Sequence, residues 1–175
     1  MDKHITTRAY HTPFGVLILG SFDDRLCMCD WEQRRNRETV CRKLSAMLGA
    51  SYREGDNRLL QSAAEMLDRY FAGSDQMTGL PLLPCGSDFQ KTVWEGVSMV
   101  PYGSTLSYGA LAHRLGRPEA VRAVAAAVGA NPLSIFIPCH RITGRNGQLT
   151  GYAGGIEAKR GLLALEAGIS GADRQ

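Results

Sequence analysis

Along the first half of the chain the period of the apolar positions changes from two to between three and four. Phe14 to Ser21 and Arg25 to Asp30 are two short β-prone runs joined by Asp23 and Asp24, which predicts a hairpin. From Asn36 to Leu48 the apolar residues Val40, Leu44, Met47 and Leu48 recur at helical spacing, and Gly49 stops the run. From Arg58 to Ala72 the stripe of Leu59, Leu60, Ala63, Met66, Leu67, Tyr70 and Phe71 repeats that pattern and ends at Gly73. Both stripes read as core faces. Residues 1–85 are therefore expected to form a small α/β unit that carries no chemistry of its own. Pro81 to Ser87, with two prolines and a glycine and no periodicity, is the expected linker.

The second half reads as mostly helical. Asp88 is the expected cap of a helix from Phe89 to Met99, with Phe89, Val93, Trp94 and Val97 on one face. Ser107 is an N-cap candidate for a helix to Arg117. Gly116-Arg117-Pro118 then turns the chain into a helix from Glu119 to about Val128, with Pro118 at its first position. Helix, short glycine-containing turn, helix is a helix-turn-helix pattern. Its second helix is nearly all alanine and valine, with Arg122 as the lone cation. Such a thin face lets a backbone approach a narrow groove, and one arginine on it can enter a base stack. An Ala-rich helix packed on both sides, with Arg122 at its exposed edge, fits the same residues. Beyond the break at Gly129 to Pro132, the apolar run Ile135-Phe136-Ile137 reads as an extended buried segment ended by Pro138. Asn146-Gly147 predicts a hairpin turn, Gly151 to Gly155 a flexible loop, Glu157 to Ala167 a last helix, and residues 171–175 a frayed tail. The expected fold is α+β: an α/β part over 1–85 and a mostly helical part with a winged-helix-like motif over 86–175.

The 175 residues are 44% hydrophobic and 21% charged, enough for one ordinary domain or two small ones. No apolar run is long enough to span a bilayer, and the five cysteines form no disulfide framework. A cytoplasmic protein with reduced thiols and no membrane partner is expected. Cys27, Cys29, His4 and His11 lack metal-site spacing, so no metal and no cofactor is expected. Net charge is +3, and all of it comes from residues 86–175. Arg114, Arg117, Arg122, Arg141 and Arg145 face a single acid, Glu119, between His113 and Arg145. A polyanion docked on one face suits this stretch, and so does an ordinary solvated surface.

Candidate chemistry converges on Cys139, which is followed by His140 and Arg141. A cysteine beside two potential cations is where a thiolate can be stabilised at neutral pH, although buried cysteines are often inert. Asn131, eight residues earlier, is placed to cross-link the turn before it. Glu166 sits in the last turn of the final helix, where a carboxylate opposes the helix dipole at a cost of roughly 0.3 to 1 kcal/mol. That mismatch points to a partner for Glu166, and a histidine would suffice.

Taken together these residues resemble the methylated-DNA-protein-cysteine S-methyltransferases, or O-6-alkylguanine-DNA alkyltransferases, of the single-module bacterial kind. The likeness is carried by Pro138-Cys139-His140-Arg141-Ile142, Arg122-Ala123-Val124, Asn131-Pro132, Ser107-Tyr108-Gly109, Gly151 to Gly155 and Glu166. It implies a ribonuclease-H-like first domain and a monomeric suicide repair protein. Its partner would be double-stranded DNA carrying O-6-alkylguanine, and possible thymine O-4 adducts stay open. The protein would dock in the minor groove and flip out the damaged base, and the alkyl group would move irreversibly to Cys139. The implied catalytic set is Cys139, His140, Glu166, Asn131 and Tyr108, with a water in the proton relay. Arg122, Ala123, Ser107 and Arg141 would contact DNA, and Ile142, Tyr152, Ala153 and Gly154 would line the base pocket. Ala125 departs from the family, where many members have glycine. A non-enzymatic lesion sensor or regulator shares the helix-turn-helix and the basic stretch. A Cys-His hydrolase is a further alternative, and it needs the histidine to face the thiol.

Overall fold

The computed structural model describes residues 2–74 and 77–168, so the tail expected at 171–175 lies outside them. Strands β1 (His4–Thr12), β2 (Gly15–Phe22), β3 (Arg25–Trp31) and β4 (Ser51–Glu54) form one sheet in the order β3-β2-β1-β4. Antiparallel pairing joins β1 to β2 and β2 to β3, while β4 runs parallel to β1. Asp23 and Asp24 both take left-handed φ, 52° and 56°, which matches the twist of a tight hairpin. The sheet is covered on both faces. Helix α1 (Arg37–Leu48) closes Leu44 over Ile5, Cys27 and Met28. Helix α2 (Arg58–Phe71) packs Leu60, Leu67 and Tyr70 with Leu17, Leu19 and Trp31 on the other side. Strand β1 carries no alternating apolar pattern, since only Ile5 in it is fully buried, and neither does β4, whose four residues are all exposed.

The second half contains α3 (Asp88–Ser98), β5 (Leu106–Ser107), α4 (Tyr108–Arg114), α5 (Val121–Gly129), β6 (Ile142–Thr143) and α6 (Ile156–Glu166). The fold is α+β, as expected. Its main core is continuous, with Leu17, Trp31 and Tyr70 from the first half against Val93, Leu111, Val124 and Leu162 from the second. No helix among the described residues is long and apolar enough to cross a membrane.

Several local expectations are corrected. Ser87, not Asp88, caps α3: its hydroxyl accepts from the Gln90 N–H while the Gln90 side chain accepts from the Ser87 N–H. Pro118 and Glu119 stay in the turn, because the Arg117 N–H is spent on the Ala112 carbonyl and the Ala120 N–H on Arg117, so α5 starts at Val121. The expected linker is no free tether. Leu26 donates to the Pro81 carbonyl at 2.9 Å and accepts from Leu83 at 2.8 Å, adding a short rung at the edge of β3, where a proline is tolerated. The apolar run 135–137 is not extended. It is a tight turn in which Ile137 donates back to Leu133 at 2.8 Å and Ile135 is forced to φ 71°. Asn146 and Gly147 do turn left-handed, but no ladder flanks them; the nearby pairing is β5 with β6, which is parallel.

The two halves meet at Trp31. Its indole is fully buried, donates to the Tyr152 hydroxyl at 3.0 Å, and lies edge-on to that ring at 6.1 Å. Gly154 is pressed against the indole: a Cβ there would come within 2.6 Å of Trp31 Cε2. Gly154→Ala is therefore expected to destabilise the protein by about 1–3 kcal/mol through overpacking. Urea unfolding of the variant beside the parent checks this, and equal midpoints would show that the ring can yield.

Candidate active site

Pro138 leads directly into one turn of 3-10 helix, Cys139–Arg141. A 3-10 turn keeps successive side chains within one compact segment instead of sending them to opposite faces. Cys139, His140 and Arg141 are all buried, at 5%, 0% and 9% exposure. The preceding turn is pinned by Asn131, whose amide donates to the Ile137 carbonyl and whose oxygen accepts from the Leu133 N–H, both at 2.9 Å. Arg34, from the segment after β3, reaches across the molecule to brace the same turn. It donates to the Asn131 carbonyl at 3.1 Å and to the Gly129 carbonyl, and pairs with buried Asp30 at 3.0 Å.

Glu166 is the hub. Its Oε1 accepts from His140 Nε2 at 2.7 Å, from Arg141 Nη2 at 2.9 Å and from the Tyr70 hydroxyl at 2.8 Å; its Oε2 accepts from Arg141 Nε at 2.9 Å. Burial alone would raise this carboxyl, but the hydrogen bonds from His140 and Arg141 outweigh it and hold it at about 2. A carboxylate only accepts, so His140 Nε2 carries the proton of that bond. Burial lowers His140 further than Glu166 raises it, which leaves the imidazole neutral near pH 7. Its Nδ1 is then a bare lone pair, and that atom is buried with no hydrogen-bond partner.

The thiol differs from expectation. Burial pushes Cys139 up, against a hydrogen bond from Asn131 and the positive charges of Arg34 and Lys159, which pull it down. The resting sulfur is a thiol and not a thiolate, because neither chain neighbour supplies a free cation: His140 is neutral and Arg141 is spent on Glu166. A pocket of about 50 Å³ opens onto Cys139 between Tyr108, Ala125, Val128, Gly129, Asn131, Gly151, Tyr152 and Ala153. Helix α5 forms one wall of it and carries Arg122 and Ala123 exposed on its outer side. Ala125, the departure noted in the sequence, puts its methyl at the pocket rather than in the core. Ser107 caps α4, accepting from the Ala110 N–H at 3.0 Å.

Three sequence expectations fail in the geometry. Arg141, expected on the DNA face, is turned inward and is consumed by Glu166 and the Val100 carbonyl. Ile142 does not line the pocket: its N–H is bonded to Cys139 and its carbonyl accepts from Lys159 Nζ at 2.6 Å. Gly154 faces Trp31 instead of the pocket. The first half, expected to be chemically silent, supplies Tyr70, Asp30, Arg34 and Trp31. Tyr70 belongs to a helical apolar stripe, and nothing in that stripe separates a core tyrosine from one whose hydroxyl serves a carboxylate. Asp30 and Arg34 are spaced as any surface i,i+4 pair would be.

A buried neutral histidine ties stability to pH in one direction. Below about 6.5 the unfolded chain takes up a proton that folded His140 refuses, so stability is complete above that pH and declines as pH falls toward the lowered folded value. The unfolding free energy should fall by about 0.7 kcal/mol per pH unit at 6.5 and steepen toward about 1.4 kcal/mol per unit a pH unit or more below it. Urea titrations from pH 8 to 5 check this, and the step should vanish in His140→Gln.

Comparison with known proteins assigns both halves to one family. The model for the ribonuclease-like domain of 6-O-methylguanine DNA methyltransferase matches residues 5–84, and that for its DNA binding domain matches residues 88–168. A methylated-DNA–protein-cysteine methyltransferase of Salmonella typhimurium is 43% identical over 162 residues, covering 89% of this chain and 91% of that protein. One of Methanosarcina acetivorans is 44% identical over 157 residues, covering 90% and 95%. Among solved structures, Mycobacterium tuberculosis OGT in complex with DNA superposes with a TM-score of 0.79 at 36% identity, covering 97% of this chain and 96% of that one. With its sheet-bearing and helical parts each matched, and relatives above 40% identity along nearly the whole length, the chain belongs to the 6-O-methylguanine DNA methyltransferase family.

Proposed function

We propose that this protein repairs duplex DNA by moving the alkyl group of O-6-alkylguanine to Cys139, once per molecule. The observation that carries the reading is the bare, buried Nδ1 of His140, in a tautomer fixed by Glu166, on the residue next to a thiol at the foot of a pocket. The names of the relatives, and the DNA bound to the Mycobacterium tuberculosis OGT, support the substrate.

In this reading α5 enters the minor groove, Arg122 fills the stack vacated by the damaged guanine, and the base swings into the pocket at a cost of a few kcal/mol. Ser107 adds a DNA contact beside it. His140 Nδ1 takes the thiol proton, directly or through one water, and Glu166 stabilises the imidazolium. The sulfur attacks the alkyl carbon, so a C–S bond forms as the C–O bond breaks and the electron pair stays on guanine. Tyr108 lines the pocket, and burial keeps its phenol protonated, so it is the donor to the departing base. The tyrosinate left by that donation recovers a proton from the imidazolium, so the net result is one proton moved from sulfur to guanine and a thioether that water does not cleave. Tyr152 and Ala153 hold the base, and Asn131 keeps the turn in place. Residues 86–175 act as the DNA-binding and transferring part and residues 1–85 as its support through Tyr70, Trp31 and Arg34. The protein acts as a monomer in the cytoplasm.

Incubation with a duplex containing O-6-methylguanine should add one methyl mass to the Cys139 peptide and no more than one per chain. Cys139→Ala should take up none while binding the duplex within about threefold of the parent; a variant that still clears the lesion would sink the reading. If the protein is only a lesion sensor, Cys139 stays unmodified in the parent as well. Tyr108→Phe should slow single-turnover transfer by about 100-fold, in the range of a lost general acid.

A further inference from the structure

The buried charges around Cys139 are paired with one exception. Arg34 is matched by Asp30 at 3.0 Å and Arg141 by Glu166 at 2.9 Å, while His140 is neutral. Lys159 is 1% exposed, and none of the ion pairs among the described residues includes it. Its ammonium donates to two carbonyls, Ile142 at 2.6 Å and Thr150 at 3.1 Å, and lies 5.8 Å from the centre of the Tyr108 ring. Ile142 follows the reactive turn, Tyr108 lines the pocket, and Thr150 adjoins the pocket residue Gly151. Lys159 and Glu166 lie seven residues apart in α6, on the same face two turns or about 10 Å apart. One helix therefore presents the carboxylate that orients the base and a cation without a counter-ion to the same reactive turn. Neutral carbonyl dipoles hold an ammonium in place but do not cancel its charge, and a buried lysine is normally found with an anion.

We propose that Lys159 is the counter-charge of the Cys139 sulfur: the ammonium that staples the two carbonyls behind the pocket also stabilises the anion created when the thiol gives up its proton. Facing the sulfur from the surrounding elements are Arg34 with its partner Asp30, neutral Tyr108 and Tyr152, the thiol of Cys29, and neutral His140. Asp30 offsets part of the pull of Arg34, whereas no neighbouring acid among the described residues offsets that of Lys159. With that cation present the thiol costs less to ionise than Asn131 and Arg34 alone would make it, and the cation in turn gains the anion it lacks at rest. Lys159 acts here as a positioning and charge-supplying residue, and the inference rests on the alkyl-transfer reading above.

Two variants separate charge from packing. Lys159→Gln keeps an N–H donor for the carbonyls and removes the charge, while Lys159→Arg keeps the charge. For each, and for the parent, the rate of Cys139 modification by iodoacetamide is followed from pH 5.5 to 10 on the Cys139 peptide by mass spectrometry. Single-turnover transfer from an O-6-methylguanine duplex is followed alongside. Rates are scaled to the folded fraction seen by circular dichroism, so that lost stability does not count as lost chemistry. In Lys159→Gln the half-rise should move up by about one pH unit and both rates at pH 7 should fall about tenfold, as expected when one nearby opposite charge is removed. Lys159→Arg should keep the parent half-rise. A half-rise unchanged in Lys159→Gln, whatever the loss in amplitude, would reduce Lys159 to a staple and overturn the proposal. A parent that shows the expected iodoacetamide profile but never accepts the methyl group overturns the alkyl-transfer reading and leaves the charge assignment standing.

Discussion

The site depends on a buried carboxylate being fully satisfied. Glu166 takes donors from three directions: His140 and Arg141 in the reactive turn, Tyr70 on α2, and the Gly103 N–H after α3 at 3.4 Å. An ionised carboxylate in the interior is tolerated only with such company. The same bonds that stabilise it fix the direction of the imidazole and therefore which nitrogen is free. Removing any donor weakens a structural tie and also blurs the tautomer that leaves His140 Nδ1 free to accept a proton.

Two opposing trends in ionisation follow from one cause. Burial disfavours the charged form of the thiol and of the imidazole alike, so both rest neutral. A neutral acid beside a neutral base reacts slowly with small electrophiles until the thiol ionises. In the proposed reaction the proton moves as an electrophile in the pocket draws negative charge from the sulfur. A protein that is consumed by one reaction gains from such restraint.

Much of this was legible in the chain itself. The Pro-Cys-His-Arg run, the helix pair before it and the misplaced charge of Glu166 all pointed to one place, because each is a local departure from what core or surface residues normally do. The hairpin and the stripes of α1 and α2 were legible through their periods. What stayed hidden was hidden for physical reasons. Tyr70 and Lys159 sit at positions where helical spacing asks only for burial, and what their polar ends touch is settled 96 and 17 residues away in sequence. Arg141 looked like a groove contact because a cation next to the reactive cysteine reads as exposed, yet the carboxylate of Glu166 turned it inward. The run 135–137 is apolar enough for a strand, but Asn131 and the bonds from Ile137 and Phe136 fold it back on itself.

The placement of Glu166 on the last turn of α6 has an outcome for synthesis. Cys139 leaves the ribosome 27 residues before the carboxylate that orients its base, while Tyr70 and Arg34 have emerged long before both. A nascent chain that has not yet extruded α6 has no carboxylate to fix the tautomer of His140. The reagent is thus assembled last, after the scaffold that must contain it.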